Sequence, residues 1–76
     1  MTHPAFAVKE LSDLLLHDHE LMRRWKAASA SGQIEAVSVE GQNFAVVRDQ
    51  ALVEFMREHH GQIRAYLFDE STRTVR

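Results

Sequence analysis

An α+β fold follows from three features of the 76-residue sequence. Apolar residues between Val8 and Ala30 recur at helical spacing on either side of a short polar corner. Between Ile34 and Val47 they alternate around a glycine, as in a β-hairpin. After Asp49 the helical spacing returns and stops at Gly61. With 45% apolar residues there is material for one core, so residues 1–76 read as a single domain.

Residues 1–7 are expected to be an irregular lead-in, because Pro4 lacks a backbone donor and chain ends are usually loose. Phe6 and Val8 are the expected anchors into the core. The first helix is predicted over 8–16, with Leu11, Leu14 and Leu15 on one face and no clear N-cap. Leu16-His17-Asp18 forms the corner. Asp18 is a good cap for a second helix over 19–30, since its carboxylate can accept from free N–H groups at the positive helix end. In that helix Leu21, Met22, Trp25 and Ala28 face one way, while His19, Arg23, Lys26 and Ala30 face the other.

Gly32 suits the left-handed position that ends a helix. In the hairpin that follows, Val37 and Val39 are expected to pair with Phe44 and Val46 across a turn at Glu40-Gly41-Gln42-Asn43. Asp49 can cap a third helix over 50–60, with a stripe of Leu52, Phe55, Met56 and His59. Two readings stay open beyond Gly61. Residues 63–68 can form a strand, followed by a turn and a short strand over 72–75. Alternatively the helix continues through Gly61 to Leu67, at a cost of about 1 kcal/mol for the glycine. The predicted core is Leu11, Leu14, Leu15, Leu21, Met22, Trp25, Ile34, Val37, Val39, Phe44, Val46, Leu52, Phe55 and Met56. Trp25 is expected to plug the interior, so its truncation to alanine should unfold the domain, at a cost of about 3–5 kcal/mol.

Helix, corner, helix, hairpin, helix is the element order of a small winged helix-turn-helix: a two-helix unit, a β-hairpin wing, a third helix and a possible C-terminal strand. Glu10, Ser12, Leu15, Asp18, Arg24 and Trp25 resemble the excisionase and MerR-like winged helix-turn-helix pattern. That pattern has an early Glu and small residue, a Leu, a turn with a cap, and an Arg-Trp pair. The similarity continues through Ser31-Gly32-Gln33-Ile34 and then Val39, Gly41, Phe44, Asp49, Leu52 and Phe55, covering residues 8–56. Leu16 stands where the family often has glycine, and Gln42-Asn43 where the wing tip often carries arginine. A second winged-helix group also looks similar, the RNA-binding modules at the C-terminus of the selenocysteine-specific elongation factor.

The resemblance implies binding of double-stranded DNA, as an excisionase-like or transcription accessory factor. The helix over 19–30 would enter the major groove. There His19 and Arg23 would reach base edges or phosphates, Arg24 and Lys26 would grip the backbone, Gln42 and Asn43 would extend the contact from the wing tip, and Arg48 would flank the wing. Charge points the other way. The formal net charge is −2, from nine Lys and Arg against eleven Asp and Glu, and phosphate affinity rests on cations displacing condensed counterions. The alternatives are a protein-interaction or dimerisation module on the same scaffold and an RNA-binding winged helix. A homodimer would be built on the third helix or on the C-terminal strand, where Tyr66, Leu67 and Phe68 would supply an apolar patch.

Other classes find little support. There is no cysteine, hence no disulfide and no thiolate metal site. His17 and His19 straddle a helix start, and adjacent His59 and His60 point about 100° apart on a helix, so no metal is expected. Ser12 and Asp13 have no histidine placed to complete a triad. Gly32, Gly41 and Gly61 are isolated, so there is no phosphate loop. An enzyme, a cofactor and a small-molecule substrate are therefore not expected. No apolar run approaches the ~20 residues of a membrane span, and MTHPAFAV lacks the features of a signal peptide, so a cytoplasmic location is expected.

Overall fold

The computed structural model describes residues 1–76. The order is β1 (Thr2–Ala7), α1 (Val8–His17), α2 (His19–Ala30), β2 (Ile34–Val39), β3 (Gln42–Val47), α3 (Gln50–His59), β4 (Tyr66–Asp69) and β5 (Thr74–Val75). All strands join one antiparallel sheet in the order β2-β3-β1-β4-β5. The fold is α+β, with three helices on a five-stranded curled sheet.

The expected irregular lead-in is instead the central strand. Ala5, Phe6 and Ala7 pair with Val46, Ala45 and Phe44 of β3, while Thr2 to Ala5 pair with Asp69 to Tyr66 of β4. Burying Ala5, Phe6 and Ala7 outweighs the missing donor of Pro4, for a reason visible in the register. Pro4 lies opposite Leu67, which exchanges both its backbone hydrogen bonds with Arg76 on the far side (3.0 and 2.9 Å). The nitrogen of Pro4 therefore turns away from β4, and the last β1–β3 partners are Ala5 and Val46. Neither ladder needs a proton from Pro4, which is how a proline is accommodated in a central strand.

Period-two alternation divides the sheet into two faces. On one face, Phe6, Ala45 and Val47 meet Leu11 of α1, Leu21 and Ala28 of α2, and Leu52, Val53 and Met56 of α3. On the other, Ala5, Ala7, Phe44, Val46 and Phe68 form a second core, flanked by Val37, Val39, Tyr66 and Val75. Every member of the second core lies on a strand, so the sheet's own curvature covers it. Glu35 of β2 and Arg73, just before β5, meet across the mouth of the curl at 2.6 Å.

The helix boundaries follow their capping chemistry. Asp18 accepts from Leu21 N–H (3.0 Å) and Asp49 from Ala51 and Leu52 N–H (3.0 and 3.3 Å). Ala7 gives α1 no side-chain cap. Leu21 and Ala28 are buried, whereas Met22 and Trp25 are half-buried. Trp25 packs against the core without filling it, so the expectation that its truncation unfolds the domain does not carry over. Val8 is 37% exposed and is not a core anchor. His59 is exposed and leans on the Phe55 ring rather than completing an apolar stripe.

The hairpin turn is tighter than the four residues expected. Val39 pairs with Gln42, leaving a two-residue loop of Glu40 and Gly41 with φ of 52° and 79°. Paired positive φ values match the right-handed twist of the flanking strands. Gln42 and Asn43 are thus the first residues of β3, and the hairpin is no free-standing wing: β1 pairs along its other side. Beyond Gly61 the helix does not continue, and β4 is shorter than the strand expected over 63–68.

Candidate interaction surfaces

The outward face of α2 carries His19, Arg23 and Lys26, all exposed. Arg23 is 71% exposed and forks onto Glu20, one turn earlier, with Nε 3.0 Å from Oε2 and Nη2 2.9 Å from Oε1. This arginine holds the Glu20 carboxyl below its ordinary range. Arg24 Nε lies 3.6 Å from the same carboxylate, and its guanidinium sits 4.6 Å above the Phe55 ring. One glutamate therefore faces two of the four cationic side chains assigned to a phosphate surface. Helical spacing of three and four residues is what lets it reach both.

Arg48 is elsewhere. It follows β3 on the inner side of the sheet, where Nη2 contacts Glu35 Oε1 at 2.9 Å and Glu70 Oε1 at 2.5 Å. Glu70 also accepts from His3 Nε2 at 3.3 Å. With the Glu35–Arg73 pair, this gives a network that closes one end of the curl. Arg73 and then Arg48 hold Glu35 below the ordinary carboxylate range; Arg48 and then His3 do the same for Glu70; the two carboxylates raise Arg48. Arg23, Lys26 and Arg48 do not form one positive strip. Gln42 and Asn43 are exposed beside Val8 and Lys9, where a hollow of about 450 Å³ separates β3 from the start of α1.

The C-terminal patch expected from Tyr66, Leu67 and Phe68 does not exist as a patch. Phe68 is 0% exposed, Tyr66 is half-buried and only Leu67 stands out, at 54%. Alternation puts neighbours on opposite faces, and the inner face is core.

Reading along the residues missed one surface, the outer edge of β2. Gln33 accepts from Arg48 N–H (2.7 Å), and the ladder runs unbroken from Ile34–Val47 to Val39–Gln42. In such a ladder alternate residues turn their peptide groups toward the partner strand. Gln33, Glu35, Val37 and Val39 face β3. Ile34, Ala36 and Ser38 face outward, and no backbone or side-chain group of the protein bonds them there. Ala36 and Ser38 are exposed and small, and the edge carries no lysine, proline or bulge. The only charge on the strand, Glu35, is already held by two arginines. The signal in the sequence was the strand itself; its position at the sheet edge depends on β1, which pairs on the other side of β3.

Elsewhere, His60 Nε2 donates to Asp18 Oδ2 at 2.6 Å, tying the end of α3 to the cap of α2, and this bond is the main reason the Asp18 carboxyl sits below its usual range. No cluster of three or more metal-ligating side chains is present. No helix is long and apolar enough to cross a membrane. The class defined by these features is an α+β domain with a bare sheet edge, in which Arg23, Arg24, Arg48 and Arg73 are held by carboxylates. Comparison with family models, with curated proteins and with solved structures finds no match.

Proposed function

We propose that this protein is a protein-interaction module that binds by strand addition along β2. The observation that carries the reading is the row of outward peptide groups at Ile34, Ala36 and Ser38, unpaired within the protein. An edge of this kind is a template for another chain: main-chain hydrogen bonds supply affinity and alternate side chains supply selection. The charge distribution agrees. Arg48 and Arg73 are engaged by carboxylates, Arg23 forks onto Glu20, and the net charge is −2.

The test is a selection of extended peptides from a displayed library, followed by amide chemical-shift mapping. Bound peptides are expected to shift the amides of Ile34, Ala36 and Ser38. N-methylation of alternate peptide residues should abolish binding, because it removes the donors of a strand. Shifts confined to α2, or binding that survives N-methylation, refute strand addition.

A second reading rests on the exposed row His19, Arg23 and Lys26. In it α1 and α2 are a helix-turn-helix of the winged type, as in excisionase-like proteins, and α2 lies in the major groove of double-stranded DNA. Affinity for a duplex that falls steeply between about 50 and 200 mM salt, and is lost in Arg23→Ala, would establish that reading over strand addition.

A further inference from the structure

We infer that the chain pairing with β2 is a second copy of this protein, in an antiparallel register centred on Ala36. The inference rests on the edge-strand reading above and specifies its partner. A two-fold axis across an antiparallel pair fixes which residues meet, so few registers are possible.

Centring on Ala36 places it against its own copy and sets Ile34 of each chain against Ser38 of the other. All three outward residues then become hydrogen-bonded pairs, each exchanging two bonds, for about six backbone hydrogen bonds. Centring on Glu35 engages only Ile34 and Ala36 and sets two glutamates directly opposite each other, which is destabilising. Centring on Val37 engages only Ala36 and Ser38, because the next outward residue, Glu40, has left the strand conformation at φ 52°. The Ala36 register alone uses the whole edge, and it sets Glu35 opposite Val37 of the other copy.

The chemistry along the edge suits self-pairing. Ala36 meets Ala36 on the axis without bulk. Beyond the strand, Gly32 lies where the other copy's Glu40 turns away, and Ser31 and Gly32 are exposed there. Glu35 is tied inward to Arg48 and Arg73, so two copies approach without exposed like charge on the strand. The joined sheets run as one across the axis, β3-β2 of one copy continuing into β2-β3 of the other.

The test begins with sedimentation equilibrium of the full chain. The mass should rise from monomer to dimer between about 10 μM and 1 mM, the range of a small interface. Ala36→Pro should remain monomeric throughout while keeping the wild-type circular dichroism, because the lost N–H points away from β3. Ala36→Lys, which sets two cations on the axis, should also be monomeric and serves if the proline variant unfolds. A short bis-maleimide should cross-link Ala36→Cys into a dimer, since the two members of a hydrogen-bonded pair lie only about 5.5 Å apart. Ala30→Cys, on exposed α2, should not cross-link. A wild-type monomer at about 1 mM overturns the second copy, as does equal cross-linking at Ala30. If library peptides still shift the β2 amides in that case, strand addition stands with a different partner; if they do not, both fall together.

Discussion

Phe68→Ala and Leu67→Ala, compared side by side, test the register and curvature of the sheet. Phe68 is 0% exposed, at the centre of the core formed by Ala5, Ala7, Phe44 and Val46. A buried phenylalanine removes about 150–250 Å² from water, which at ~25 cal/mol per Å² corresponds to roughly 4–6 kcal/mol. Measured truncations of this kind cost about 3–5 kcal/mol. Arg73 also lies 5.2 Å above the ring, so truncation removes a cation–π contact as well. A domain of this size has a total stability of roughly 4–11 kcal/mol, so the variant should lose a large part of it. Leu67, one residue earlier, is 54% exposed on the opposite face, and its truncation should cost less than about 1 kcal/mol. At about 4–8 °C per kcal/mol, thermal melts should place Phe68→Ala at least ~12 °C below wild type and Leu67→Ala within a few degrees of it. Equal losses, or a larger loss at Leu67, would refute the register and the claim that the inner face is core.

Two further outcomes follow from local geometry. Glu40→Asn should stabilise the hairpin by a few tenths of a kcal/mol, because asparagine tolerates positive φ better than glutamate, whereas Gly41→Ala should cost about 1–2 kcal/mol at φ 79°; urea melts separate the two. The Glu35, Glu70 and Asp18 carboxyls are held low by Arg73, Arg48 and His60 respectively, so their contribution is present above the ordinary carboxylate range and is lost as pH falls through their depressed values. Stability should therefore drop steeply below about pH 4.5, and Glu35→Gln with Glu70→Gln should be less stable at pH 7 and show a flatter decline. A decline unchanged by the double substitution would remove this network as its cause.

What was legible in the sequence was local. Asp18 and Asp49 announced their helices because a carboxylate before an apolar-periodic run has one good use, and the structure places both as caps. The span of α2 and the β2–β3 hairpin follow from spacing alone. The features that went unread depend on contacts distant in sequence. Pro4 argued against a strand by a rule that holds for residues whose N–H is needed, and only the register shows that here it is not. The alanines at 5, 7 and 45 carry too little hydrophobic signal to be placed inside, and only the central place of β1 and β3 in the sheet buries them. Phe68 read as part of an apolar patch because nothing local shows what lies beside its strand, and β1 and β5 on its two sides make it interior. Arg48 read as a cation near a wing, but its partners lie on β2 and after β4. The bare edge was invisible for the same reason, since which strand is outermost is a property of the whole sheet.

The placement of β1 also bears on how the chain acquires its shape. Thr2 must find Asp69 and Ala7 must find Phe44, so β1 depends on partners far along the chain on both of its sides. Closing such long loops before any reward slows the search, and a nascent chain ending before β4 would present β1 with one side uncovered. Helices α1 and α2 and the hairpin can form from neighbours alone, and the opening segment waits for them. Relocating β1 to follow β5 through a short linker would shorten its path to β4, and faster refolding of that permutant would reveal the delay built into the natural order.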